Sequence, residues 1–136
     1  MDALSQSLSG LPLFLLYFGL GLALFVVFLA VYSAVTPYRE IALIRDGNPA
    51  AAISLAGATI GFVLPLASAI AHSVSPLDML VWGLIALVAQ VVVYFAVAKL
   101  VPHFAEAIPA GRVAPAVLSA TVSLAVGLLN AAAMTY

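Results

Sequence analysis

Four stretches of this chain are each apolar for about the thickness of a bilayer, roughly 20 helical residues. They run from Leu11 to Val35, Ala50 to Ala71, Leu77 to Leu100 and Val113 to Thr135, and no Asp, Glu, Lys or Arg lies in the middle of any of them. In hydrocarbon a backbone N–H or C=O finds no water, so a run of this length satisfies itself as a helix. The expectation is an all-α integral membrane protein of four transmembrane helices, forming one membrane domain over residues 1–136. Composition excludes a soluble alternative. Hydrophobic residues make up 66% of the chain and charged residues 7%, against roughly 45 to 50% and 25% in soluble domains. A soluble fold of this size has too small a core to hide that much apolar surface.

Charge sets the expected orientation. Met1 to Gly10 lacks the basic n-region of a secretory signal, and the apolar run after it is too long for a signal h-region, so the first span is expected to be retained. Arg39 and Arg45 lie in the first connection, Lys99 and Arg112 flank the third, and the remaining hydrophilic segments carry no Lys or Arg. By the positive-inside rule the first and third connections face the cytoplasm, and both termini face the periplasm. Four basic against five acidic residues make no basic face for nucleic acid and no polybasic lipid cluster. The lipid bilayer is the expected partner, together with further copies of the chain or other envelope proteins. With no cysteine, disulfides and thiolate metal sites are excluded, and no cofactor or metal site is expected.

Helix boundaries are punctuated locally. Asn48-Pro49 reads as an N-cap with proline in the first turn, and Ser75, Pro76 and Asp78 repeat that logic before the third span as a capping box. Tyr17 and Trp82, near the outer ends of the first and third spans, suit an interfacial aromatic belt. Sliding the first half of the chain onto the second brings Pro37 onto Pro102 at an offset of 65 residues and Gly47 onto Gly111 at 64. The shared plan is a long span, a proline, a loop ending in Gly and an Ala-rich span. It predicts two tandem two-helix repeats, about 11–71 and 77–135, in parallel orientation about an axis along the membrane normal.

Thr36-Pro37-Tyr38, Glu40, Leu43-Ile44, Asn48, Ala50-Ala51-Ala52, Gly57, Gly61-Phe62, Leu64-Pro65-Leu66 and Ala69 through Ser73 resemble the YjfL-like family of bacterial inner-membrane proteins. Asp78, Trp82-Gly83, Gln90 and Leu129-Asn130-Ala131 extend the resemblance over nearly the whole chain. It implies paired two-helix units in the cell membrane. The family is a domain of unknown function, so no catalytic residues carry over.

In the second span Gly57 and Gly61 stand four residues apart among Ser54, Ala58 and Ala50 to Ala52. That spacing lets helix backbones approach closely, within the monomer or between copies. Pro65 in the same span should kink it and free a carbonyl. Polar residues at depth are few. Gln90 near the centre of the third span and Asn130 in the fourth must face protein or water, as a polar path or as interhelical hydrogen bonds. Ser68, Thr121 and Ser123 are expected to bond carbonyls of their own helices.

His72 is the titratable candidate for sensing external acidification, alone or with Asp78 and Asn130 in an outer mouth, whereas His103 lies across the bilayer. Tyr38, Glu40 and Asn48 in the first connection and Glu106 in the third suggest a symmetrical cytoplasmic docking or ion-entry surface. The plainer alternative is a short interfacial helix with snorkelling anchors. There is no nucleophile elbow, no His-Glu-x-x-His and no nucleotide loop, so an enzyme is not expected. Two functions remain: a non-enzymatic subunit of a membrane assembly, and a small channel or transporter for ions or small solutes, conducting as an oligomer.

Overall fold

The computed structural model describes residues 2–134, which form helices α1 (Ala3–Leu8), α2 (Leu11–Val35), α3 (Glu40–Arg45), α4 (Pro49–His72), α5 (Pro76–Leu100), α6 (Phe104–Ala107) and α7 (Val113–Ala133). Four helical segments are long and apolar enough to cross a membrane, namely Ala3–Val35, α4, α5 and α7. Their ends fall within two residues of those expected from the sequence, except at the N-terminus, where a further short helix precedes the first span. The Thr135 at the expected end of the fourth lies outside the described residues.

Local chemistry explains the boundaries. Asp2 accepts the Ser5 N–H at 2.8 Å and starts α1 ahead of the first apolar run. Ser9 and Gly10 keep helical backbone angles, so α1 leads into α2 through a loosened turn. The 33 residues from Ala3 to Val35 make about 50 Å of helix at 1.5 Å per residue, longer than the roughly 30 Å hydrocarbon core. The Asn48 side chain accepts the Ala51 N–H at 3.1 Å, and the Ser75 hydroxyl accepts the Asp78 N–H at 3.1 Å. The helices α3 and α6 end alike. Gly47 (φ +85°) and Gly111 (φ +79°) take the left-handed conformation, and their N–H groups donate to Ile44 and Ile108 carbonyls. The following residues, Asn48 and Arg112, donate to Leu43 and Ala107 carbonyls. Both ends are therefore Schellman caps, which need a residue without a Cβ at that position.

The centre of the bundle is the pair α4 and α7. Contacts along it advance together from Asn48 with Ile108 to Ser68 with Ala131, so the two helices are parallel. Lying across both is α5, and α2 packs on α5 and α4. An aromatic column fills the space between α2, α4, α5 and α6. Phe62 stacks on Phe28 at 4.5 Å, Phe28 meets Tyr32 at 5.6 Å, and Tyr94 meets Tyr32 and Phe104 at 6.0 Å each. Outward, Phe14, Val26, Val92, Phe95, Leu128 and Leu129 are exposed. On a soluble protein that surface would aggregate; in a bilayer it meets acyl chains.

The sequence placed Gly57 and Gly61 on a contact face, and in the structure that face meets α7 of the same chain. A Cβ on Gly57 would stand 2.5 Å from Ala120 Cβ, and one on Gly61 would strike the Ser123 backbone. The partner glycine on α7 is Gly127, where a Cβ would stand 2.6 Å from Gly61 Cα and closer still to Gly61 O. The hydrogen in place of that Cβ points at Gly61 O, the geometry of a Cα–H···O contact. This carbonyl is the one Pro65 strips of its helical N–H donor. Helix α4 runs unbroken through Pro65, which is buried in the bundle.

Candidate functional site

Buried polar side chains concentrate at the end of the bundle that carries α3 and α6. There α2 stops because Pro37 has no N–H to offer the Ser33 carbonyl, and Thr36 closes the last turn through its own N–H to Tyr32 O at 3.0 Å. The chain then turns into α3, whose first residue is Glu40. Although Glu40 belongs to a charged connection, it is 2% exposed. Its Oε1 accepts the Thr36 hydroxyl, its Oε2 has no partner, and among the described residues no Lys or Arg pairs with it. The same hydroxyl lies 3.3 Å from Tyr38 O and 3.4 Å from Ser33 O.

Around this carboxyl stand three phenols and a serine. Tyr38 is buried and its hydroxyl has no hydrogen-bond partner, although the Ser54 hydroxyl on α4 approaches it. Burial pushes the Tyr38 phenol above its ordinary value of 10.0, and the Tyr32 and Tyr94 phenols and the Glu40 carboxylate push it the same way. Beside Glu40 a surface groove of about 350 Å³ is lined by Ser33, Arg39, Glu40, Ile41, Ala42 and Arg45. Tyr38 and Glu40, named from sequence, thus come together, joined by Thr36 and Ser54, which were not named as site residues. The signal for Thr36 was its place four residues before an acid and one before a proline.

The other two residues of the expected loop surface lie apart from this cluster. Asn48 uses its amide as a strut, with Nδ2 donating to Ile108 O at 2.9 Å and Pro109 O at 3.2 Å. Glu106 is paired with His103 at 2.9 Å, both side chains more than three-quarters exposed. The expected symmetry of Glu40 and Glu106 fails because α3 packs against α4 with Glu40 buried, whereas α6 presents Glu106 outward.

At mid-depth Gln90 is 1% exposed and donates from Nε2 to Ser123 O on α7 at 3.2 Å, while its Oε1 has no partner. Ser119 and Ser123 on α7 and Ser54 on α4 are buried along the same seam. At the opposite end His72 and Asp78 serve helix termini: His72 Nδ1 meets Ser68 O at 2.9 Å, and Asp78 accepts the Val74 N–H at 3.1 Å. Asn130 is half-buried. Ser68 departs from expectation by donating across the seam to Ala131 O at 3.2 Å, whereas Thr121 bonds Val117 O of its own helix at 2.7 Å.

Comparison with known proteins agrees with a membrane-spanning chain. The model of a family described as Domain of Unknown Function (DUF350) matches residues 6–134. The chain is 40% identical over 129 residues to the UPF0719 inner membrane protein YjfL of Escherichia coli (strain K12), covering 95% of this chain and 98% of that one. It is 33% identical over 92 residues to the UPF0719 transmembrane protein YshE of Bacillus subtilis (strain 168), covering 65% of this chain and 66% of that one. No solved structure matches.

Proposed function

The chain belongs to the DUF350 family of unknown function, and from that premise we propose that it is a non-enzymatic inner-membrane subunit that assembles with copies of itself or with other envelope proteins. The observation that carries this reading is the α4–α7 seam. Gly57, Gly61 and Gly127 bring backbone onto backbone, which leaves no room for a water-filled path between α4 and α7. Gln90 spends its amide N–H on α7 there. The broad apolar faces of α2, α5 and α7 point outward and supply contact surface. By the positive-inside rule the basic residues around α3 and α6 support a cytoplasmic side for those two connections and a periplasmic side for the termini.

The test is to extract the full chain, carrying a single fluorescent label, from native membranes into polymer nanodiscs and to count bleaching steps and particle mass. Particles holding two or more copies, or one copy with a stoichiometric partner, support the reading. Single copies of 14.0 kDa with no companion contradict it.

One observation favours a second reading, an oligomeric conductor of ions or small solutes. Gln90 Oε1, Glu40 Oε2 and the Tyr38 hydroxyl are all buried without partners, and polar groups kept at such cost in a membrane commonly line pathways. On that reading Gln90→Leu abolishes flux and leaves particle size unchanged. On the assembly reading the same change lowers stability modestly, by about 0.6 kcal/mol, the average for hydrogen bonds between membrane helices.

A further inference from the structure

We infer that Ser33 O, Thr36 Oγ1, Tyr38 O and the Glu40 carboxyl together form a binding site for one alkali-metal cation. The argument is a proton count. Thr36 Oγ1 has a single hydrogen and faces three acceptors, Glu40 Oε1, Tyr38 O at 3.3 Å and Ser33 O at 3.4 Å. Two of the three go without it. Ser33 O cannot turn to its own helix, because its donor position is Pro37. Glu40 Oε2 adds a third oxygen without a partner, inside a residue that is 2% exposed. Oxygens short of hydrogens, gathered around a buried carboxyl at the foot of an open groove, call for a positive charge.

The chemistry of the set narrows which charge. Every ligand is oxygen, which suits a hard cation. One carboxylate among neutral hydroxyl and carbonyl oxygens matches a single positive charge, whereas Ca²⁺ takes about six to eight oxygens, several of them carboxylate. The ligands also sit at the C-terminal end of α2, the negative end of its dipole. Entry is by the groove of about 350 Å³, whose lining includes both Ser33 and Glu40. Arg39 and Arg45 line that groove and are exposed. Their charges oppose the ion, so weak binding that depends on ionic strength is expected. The inference goes beyond the assembly reading and stands whether or not the chain oligomerises.

The test uses the full chain in mild detergent. Its melting temperature is followed in NaCl, KCl and LiCl against choline chloride at matched ionic strength, with ²³Na linewidths as a direct readout. A melting temperature several degrees higher in at least one alkali salt than in choline, saturating with concentration as single-site binding requires, supports the site. Thr36→Ser should keep that shift; Thr36→Val and Glu40→Gln should lose it together with the sodium broadening. If Glu40→Gln does not fold, the Thr36 pair and the wild-type linewidths decide alone. Equal melting in every salt overturns the inference. So does a shift that follows pH through Glu40 and ignores the alkali cations, which would assign a proton.

Discussion

Adding a single methyl group to the α4–α7 seam should cost more than adding one anywhere else a glycine stands in a span. In Gly57→Ala the new Cβ would lie 2.5 Å from Ala120 Cβ and 3.0 Å from Ala120 O. Non-bonded carbons settle at about 3.5 to 4.0 Å, so the two helices must part by roughly 1 Å. A gap of that size forfeits a quarter to a half of each pair's attraction, itself about 0.1 to 0.2 kcal/mol. Summed over the pairs along the seam, the loss is expected to fall in the range of about 1 to 3 kcal/mol known for overpacked cores. Gly127→Ala meets Gly61 Cα at 2.6 Å and should cost as much. Two controls bracket the effect. A Cβ on Gly83 meets Leu24 Cδ1 at 2.8 Å and Leu66 Cδ1 at 3.5 Å, tips of side chains that can rotate away for about 1 kcal/mol or less. A Cβ on Gly19 meets nothing within 4 Å. All four changes gain the same helix propensity, so differences between them report packing. Thermal unfolding in mild detergent, followed by helical circular dichroism, should rank Gly19→Ala and Gly83→Ala well above Gly57→Ala and Gly127→Ala. Equal melting of all four would refute the close seam.

Three further outcomes follow from particular contacts. Asn48→Asp keeps the oxygen that caps α4 but loses the donors to Ile108 O and Pro109 O, so it should destabilise by about 0.5 to 1.5 kcal/mol per bond. Asn48→Ala should lose about 1 kcal/mol more with the cap, and chemical denaturation in detergent measures both. The raised Tyr38 phenol holds its proton in the folded chain after the unfolded chain has lost it, so its stability contribution is complete below pH 10 and declines as pH rises beyond. Tyr38→Phe, which deletes a buried hydroxyl without a partner, should leave stability unchanged or raised at pH 7 and flatten the loss above pH 10. A cysteine placed at Arg45, clean because the chain has none of its own, should resist an impermeant maleimide in intact spheroplasts; its labelling would invert the orientation.

The spans were legible because solvent sets them: a run must be long enough to cross hydrocarbon, and the ends at Asn48-Pro49 and Ser75-Pro76 are written in residues that cap helices over three or four positions. Which faces meet was less legible. In lipid an apolar stripe no longer marks the interior, and only small residues at four-residue spacing do so. That signal was read at Gly57 and Gly61 but missed on α7, where Ser119, Ser123 and Gly127 repeat it. Glu40 was named from its loop, yet its burial was not foreseen, because a charged residue between two spans normally reads as surface. Its placement depends on α2 ending at Pro37 and on α3 folding back, a tertiary fact. Counted back from Gly47 and Gly111, the residue in the place of Glu40 is Phe104, which is buried as Glu40 is, whereas Glu106 stands two residues further on and points to solvent.

The measurement that bears most directly on an assembling, non-conducting subunit is ion flux through purified chain in liposomes. Proton, alkali-cation and anion fluxes are followed over a range of pH and voltage, beside a melting curve that shows the protein to be folded. The account predicts flux no greater than that of empty liposomes, and a Gln90→Leu variant that differs from wild type in stability alone. Flux from the wild-type chain that vanishes in an equally stable, equally sized Gln90→Leu variant would contradict it.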